Sequence, residues 1–248
     1  MEKTAYLSVH DKTGLEDFAR GLEELDFAIY ASGSTCKLLK EAGVLAEEVR
    51  CAPPVPAAVL KALWGRFPAL SDNGVELPRF YIVAADLYPV ANIVSQEEFS
   101  PGELSGYLDQ ANSSVLRAAA RDFENVVTIS SPADYAPVLA AFRDAGGLAP
   151  EVKKQLAARA WQRLAYYDST VAQYLSDSGG LLSDEMVISL RKVADLEYGE
   201  NRHQKAAFYA LSGARARGLN AAQVLAGGPF NLNHYLDLDT AYELATEF

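Results

Sequence analysis

Short apolar runs and amphipathic stretches alternate along the first 130 residues, and that alternation predicts stacked β-α units around a mostly parallel sheet. The strand-like runs are Ala5–Val9, Phe27–Tyr30, Phe80–Ala84 and Val126–Ile129. Apolar residues at helical spacing predict helices over Gly14–Glu24, Thr35–Ala42, Ser113–Phe123 and Pro132–Asp144. The fold class is α/β. Between Glu47 and Pro78 the pattern fails, and five prolines predict a long loop with one helical turn in it. From Pro150 to Leu175 helical spacing returns over about seven turns, enough for a helix that packs across a whole domain. The Ser176–Gly180 stretch reads as a turn or linker. The expected organisation is therefore a domain over 1–180 and a trailing segment over 181–248.

In an open parallel sheet, ligands collect outside the carboxyl ends of the strands, which points to 8–14, 32–35 and 86–89. The first of these, Ser8 to Gly14, offers hydroxyls at Ser8 and Thr13, the cation of Lys12, and backbone N–H groups at a helix start. That chemistry suits an anion; the alternative is a plain turn in which Asp11 or Thr13 caps the helix. Ser32, Gly33, Ser34 and Thr35 repeat the chemistry before the next helix. Neither loop has the spacing of a triphosphate-binding loop or a dinucleotide fingerprint, which argues against ATP and NAD.

Charge and composition narrow the classes further. Of the 248 residues, 22 are Lys or Arg and 33 are Asp or Glu, a net charge of -11 that disfavours a nucleic-acid partner. Half the residues are hydrophobic, enough for a real core, yet no apolar run reaches the roughly 18 residues of a membrane span. The start lacks a basic region followed by an apolar stretch, so the expectation is a cytoplasmic protein without a membrane partner. Cys36, Cys51, His10, His203 and His234 show no metal-ligand spacing, and no metal is expected.

Several ordered segments together carry a family resemblance. They are SVHDKTGLEDFARGLEEL, ASGSTCKLLKEAG, DLYP, LRAAARDFENVVTISSPADY, YDSTVAQYL, YGENRHQKAAFY and LNHYLDLDTAYEL. The chain resembles the N-terminal IMP cyclohydrolase domain of the bifunctional AICAR formyltransferase/IMP cyclohydrolase family, over nearly its whole length. That resemblance implies a methylglyoxal-synthase-like sheet, a purine ribonucleotide monophosphate as substrate, no cofactor, and a homodimer. It implies that Ser8, His10, Lys12, Thr13, Gly14, Ser32, Gly33, Ser34 and Thr35 bind the nucleotide. Tyr88 and Asp109 match the family's active-site tyrosine and aspartate, where they would handle protons. Their ordinary alternatives are a half-buried aromatic at a strand end and a helix cap.

The departures bear on the same site. Lys61 aligns with a catalytic lysine of the family but stands in a segment whose neighbours differ, so a solvated loop lysine is the alternative. Val59 replaces the adjacent arginine. Arg121 stands where the family has a second lysine; it keeps the charge but cannot exchange a proton. Asp86 replaces an asparagine, and Gln110 to Asn112 replace an isoleucine and two glycines. Glu197 stands where the family's LRYGEN segment has an arginine. The formyl-transfer motif of the family is not found by Phe248. The expectation is a cyclohydrolase fed by a separate AICAR formyltransferase, with a catalytically impaired nucleotide sensor as the competing reading.

Overall fold

The computed structural model describes residues 3–50, 57–64, 69–70, 73–96, 99, 101–176, 184–211 and 218–247. They fall into two compact units, 1–88 with 105–165, and 89–104 with 166–248.

The first unit is a three-layer α/β fold. Its elements are β1 (Thr4–Ser8), α1 (Leu15–Glu24), β2 (Ala28–Ala31), α2 (Gly33–Glu41), β3 (Ala46–Glu48), α3 (Ala57–Trp64), β4 (Ala69–Leu70), β5 (Glu76–Leu77) and β6 (Ile82–Ala85). After α4 (Val90–Val94), which belongs to the second unit, come α5 (Gln110–Arg121), β7 (Val127–Ile129), α6 (Tyr135–Ala145) and α7 (Pro150–Ser176), whose residues from Tyr166 onward belong to the second unit. The central sheet has the order β3-β2-β1-β6-β7, with every pair parallel. Both its faces are covered, so its inner strands carry apolar residues continuously and not in alternation. Along β1 the side chains divide between faces: Ala5 and Leu7 join the core under α1, α2 and α6, while Tyr6 joins the core under α3 and α5. α1 shows how the pattern becomes packing. Leu15, Phe18, Ala19 and Leu22 recur on one face and are at most 1% exposed, each large one contributing roughly 1.5–3 kcal/mol by burial. Gly21 sits on the same face because a Cβ there would lie 2.5 Å from Leu139 of α6.

The proline-rich stretch differs from expectation. It holds β3, which extends the main sheet as its edge strand, and the eight-residue α3. Val59, Ala62 and Leu63 of α3 are buried in the second core cluster. The segment is apolar almost all round, so no stripe marks it as a helix in the sequence. α5 also begins earlier than its periodicity predicts, because Asp109 caps it and its first turn is polar.

The second unit contains a hairpin of β8 (Leu190–Leu196) and β9 (Ala206–Leu211), then α8 (Leu232–Glu247). Phe208, Phe230 and Tyr235 form its ring cluster, with Phe208 and Tyr235 centroids 4.7 Å apart. Asn231 is buried and donates to the Tyr198 hydroxyl at 2.8 Å. The linker expected at 176–180 lies, beyond Ser176, outside the described residues. Among those described, no helix is long and apolar enough to cross a membrane.

Candidate functional site

The carboxyl ends of β1, β2 and β6 meet at one edge of the sheet, and a hydrogen-bonded cluster joins them. Ser32, at the N-cap position of α2, donates from Oγ to Ser8 Oγ at 2.8 Å. Ser8 Oγ donates to Asn112 Oδ1 at 2.8 Å, and Asn112 Nδ2 donates to the Asp86 carbonyl at 2.9 Å. Asp109 caps α5 by accepting the Asn112 amide at 2.9 Å. Four chain segments, distant in sequence, are thereby tied into one patch.

The β1–α1 loop is organised around Asp86, which is buried directly after β6. One carboxylate oxygen accepts the His10 amide and the other accepts the Asp11 amide at 2.8 Å. Asp11 in turn accepts the Thr13 amide at 3.0 Å. Gly14 closes the turn with φ 66°, a left-handed conformation that glycine adopts without strain. Lys12 folds inward: its ammonium donates to the Val9 carbonyl and to Thr35 Oγ1 at 3.0 Å. Thr35 is itself buried in α2 and bridges to both the amide and the carbonyl of Val9. The amides of Gly33 and Ser34 at the start of α2 have no partner among the described residues.

Burial and hydrogen bonding set the electrostatics. Burial pushes the Asp86 carboxyl above its ordinary range, opposed by the His10 and Asp11 amides. Burial likewise raises Asp109, opposed chiefly by the amides of Asn112 and Tyr88. The Lys12 ammonium is pulled down by burial, against the attraction of Asp86 and Asp11. Asp11 is lowered by its bonds from Thr13. Beside these groups the His10 ring meets Tyr88 edge-on at 4.5 Å, and Tyr88 lies 5.8 Å from Tyr107. Hydroxyl, carboxylate and ammonium groups thus share one edge with aromatic faces that could bracket a planar ring. A separate open groove of about 770 Å³ runs along β2 and β3, lined by Phe27, Tyr30 and Leu45, and shares no residue with this cluster.

The model of the AICARFT/IMPCHase bienzyme family matches residues 119–248. The chain belongs to that family. Bifunctional purine biosynthesis protein PurH from Pediococcus pentosaceus is 34% identical over 263 residues, covering 99% of this chain and 51% of that protein. PurH from Rhodopirellula baltica is also 34% identical, covering 99% of this chain and 50% of its own length. The chain spans about half the length of these curated relatives. The crystal structure of ForH aligns with a TM-score of 0.56 and 26% identity, covering 71% of this chain and all of ForH.

Within this family member, the fold gathers Ser8, His10, Lys12, Thr13, Gly14, Ser32, Gly33, Ser34, Thr35, Tyr88 and Asp109 at one sheet edge. It does not gather Arg121. Arg121 is exposed at the far end of α5, a helix of 12 residues and therefore roughly 18 Å long. The next residue, Asp122, pairs with Arg79 at 2.6 Å, and the Arg79 carbonyl accepts from Thr4 at the opposite, amino edge of the sheet. Because α5 runs back against the strands, residues at its two ends face opposite edges. Lys61 is an exposed residue of α3 with no hydrogen bond to the cluster, and Val59 is fully buried. Two central residues carry roles the sequence did not give them. Asp86 stood out as a strand-end residue and a departure from the family pattern, and Asn112 only as such a departure; no local motif signals that one holds the loop amides and the other bridges Ser8 to Asp86.

Proposed function

We propose that this member of the AICARFT/IMPCHase bienzyme family is an IMP cyclohydrolase. In that reaction the carboxamide nitrogen of 5-formamidoimidazole-4-carboxamide ribonucleotide bonds to its formyl carbon. The formyl oxygen then leaves as water, taking one proton from each of the two nitrogens. The supporting observation is the cluster of Ser8, Ser32, Asn112, Asp109 and Asp86, flanked by Tyr88 and His10, at the ligand-collecting edge of a parallel sheet. The start of α2, with open amides and the Ser34 hydroxyl, is the seat for the 5'-phosphate, and Lys12 supplies positive charge behind it. A carboxyl raised by burial is suited to accept and return a proton, which assigns Asp109 to the attacking nitrogen. Tyr88, next to it in space through its backbone amide, is the donor toward the departing oxygen. The reading also takes in a separate formyltransferase as supplier, a homodimer, and a cytoplasmic location.

Incubating the protein with the formylated ribonucleotide and following IMP by absorbance tests this directly. Tyr88→Phe and Asp109→Asn should each lower turnover by about 100-fold or more with little change in nucleotide affinity. Equal turnover in all three proteins would remove both residues from the chemistry. A second reading, a nucleotide sensor, is favoured by the separation of Arg121 from the cluster; saturable IMP binding with no IMP formation would establish it.

A further inference from the structure

In the β1–α1 loop, the backbone donors that would ordinarily hold a phosphate oxygen already hold a protein carboxylate. Asp86 accepts from the amides of both His10 and Asp11, and Asp11 accepts from that of Thr13. The loop's one ammonium, Lys12, is turned to the Val9 carbonyl and Thr35. Asp11 also feels the Arg163 guanidinium, so the loop's carboxylates are matched internally and its amides are already taken. Across from it, the Gly33 and Ser34 amides are open and both residues are exposed. The site is therefore lopsided: one loop start can receive an anion and the other is closed by an internal one.

We propose that Asp86 is a specificity determinant that closes the β1–α1 loop to phosphate and weakens the preference of the site for a nucleotide over the matching nucleoside. This deepens the purine-ribonucleotide reading above and rests on it. Asn at this position can accept one loop amide through its oxygen, but its NH2 cannot accept the other, so Asp86→Asn frees a donor and removes a charge at once.

The experiment is a calorimetric titration of wild type and Asp86→Asn with IMP and with inosine at one fixed salt concentration. Wild type should bind IMP no more than about tenfold more tightly than inosine, and Asp86→Asn should tighten IMP about tenfold while leaving inosine within about twofold. The wild-type ratio stands by itself if the variant does not fold, which its thermal melt would report. A wild-type preference for IMP of about a thousandfold, unchanged in Asp86→Asn, overturns the role of Asp86 and leaves the purine reading intact. Failure of wild type to bind either compound overturns both.

Discussion

Replacing Asn112 by alanine would cut the one side chain that ties β1, β6 and α5 together at the site. Asn112 accepts from Ser8 at 2.8 Å and donates to the Asp86 carbonyl at 2.9 Å, while its backbone amide bond to Asp109 survives the change. Two hydrogen bonds at a net ~1 kcal/mol each give ~2 kcal/mol. Ser8, only 9% exposed, loses its acceptor, and the penalty for a poorly solvated hydroxyl adds about 1 kcal/mol. Alanine's better helix propensity returns about 0.6 kcal/mol. The balance is a loss of roughly 2–2.5 kcal/mol, which for a unit of this size lowers the melting temperature by about 4–10 °C. Thermal melts of wild type, Ser8→Ala, Asn112→Ala and the double variant measure it, and the double variant should be less destabilised than the sum of the singles by about 1 kcal/mol. A melting temperature for Asn112→Ala within about 1 °C of wild type, or strict additivity of the two singles, would refute the bridging role.

Asp109 gives a pH signature. Its native pKa is raised above the ordinary 3.8, so the native state holds the proton more tightly and loses stability as pH rises through the raised value. Asp109→Asn, which can still cap α5, should therefore melt progressively higher relative to wild type as the buffer moves upward from about pH 3.8; a constant difference would show that burial does not dominate this carboxyl. Arg121→Ala and Lys61→Ala should leave IMP formation within about twofold and stability within about 0.5 kcal/mol, since both side chains are exposed and neither is hydrogen-bonded to the cluster. A tenfold fall in turnover for either one would place that cation in the chemistry after all.

The elements with the clearest apolar spacing are legible in the sequence alone. β1, α1, α2, β7 and the 27-residue α7 lie within a few residues of where that spacing predicts them. α3 is hidden because AAVLKALW is apolar on nearly every side, and β3 because three residues at a sheet edge carry no period. The two hydroxyl-rich loops are legible as neighbours at one edge, since parallel topology forces successive strand ends together. What fills them is not. That Asp86 occupies the His10 and Asp11 amides is a contact across 75 positions or more, and only the pairing of β1 with β6 creates it. Arg121 falls away from the cluster for a related reason: motif alignment ignores that a helix antiparallel to its strands separates its ends by the height of the sheet.

The strand order also has a consequence for how the chain must be made. β1 lies in the middle of the sheet, yet only one of its neighbours arrives early. Thr4 pairs with Ala28 of β2, whereas Ala5 pairs with Ile82 of β6, and Ile82 with Val127 of β7. At translation rates of about 5–20 residues per second, β1 emerges with one edge open for roughly 4–15 s before its second partner exists. During that interval Ala5, Tyr6 and Leu7, at most 2% exposed in the finished fold, have an unpaired backbone edge that another nascent chain can template upon. Slow, late closure of long loops is intrinsic to parallel sheets of this kind. The interval places the greatest demand for chaperone protection on roughly the first 80 residues, well before the ligand-collecting edge has acquired Asp86 or Asn112.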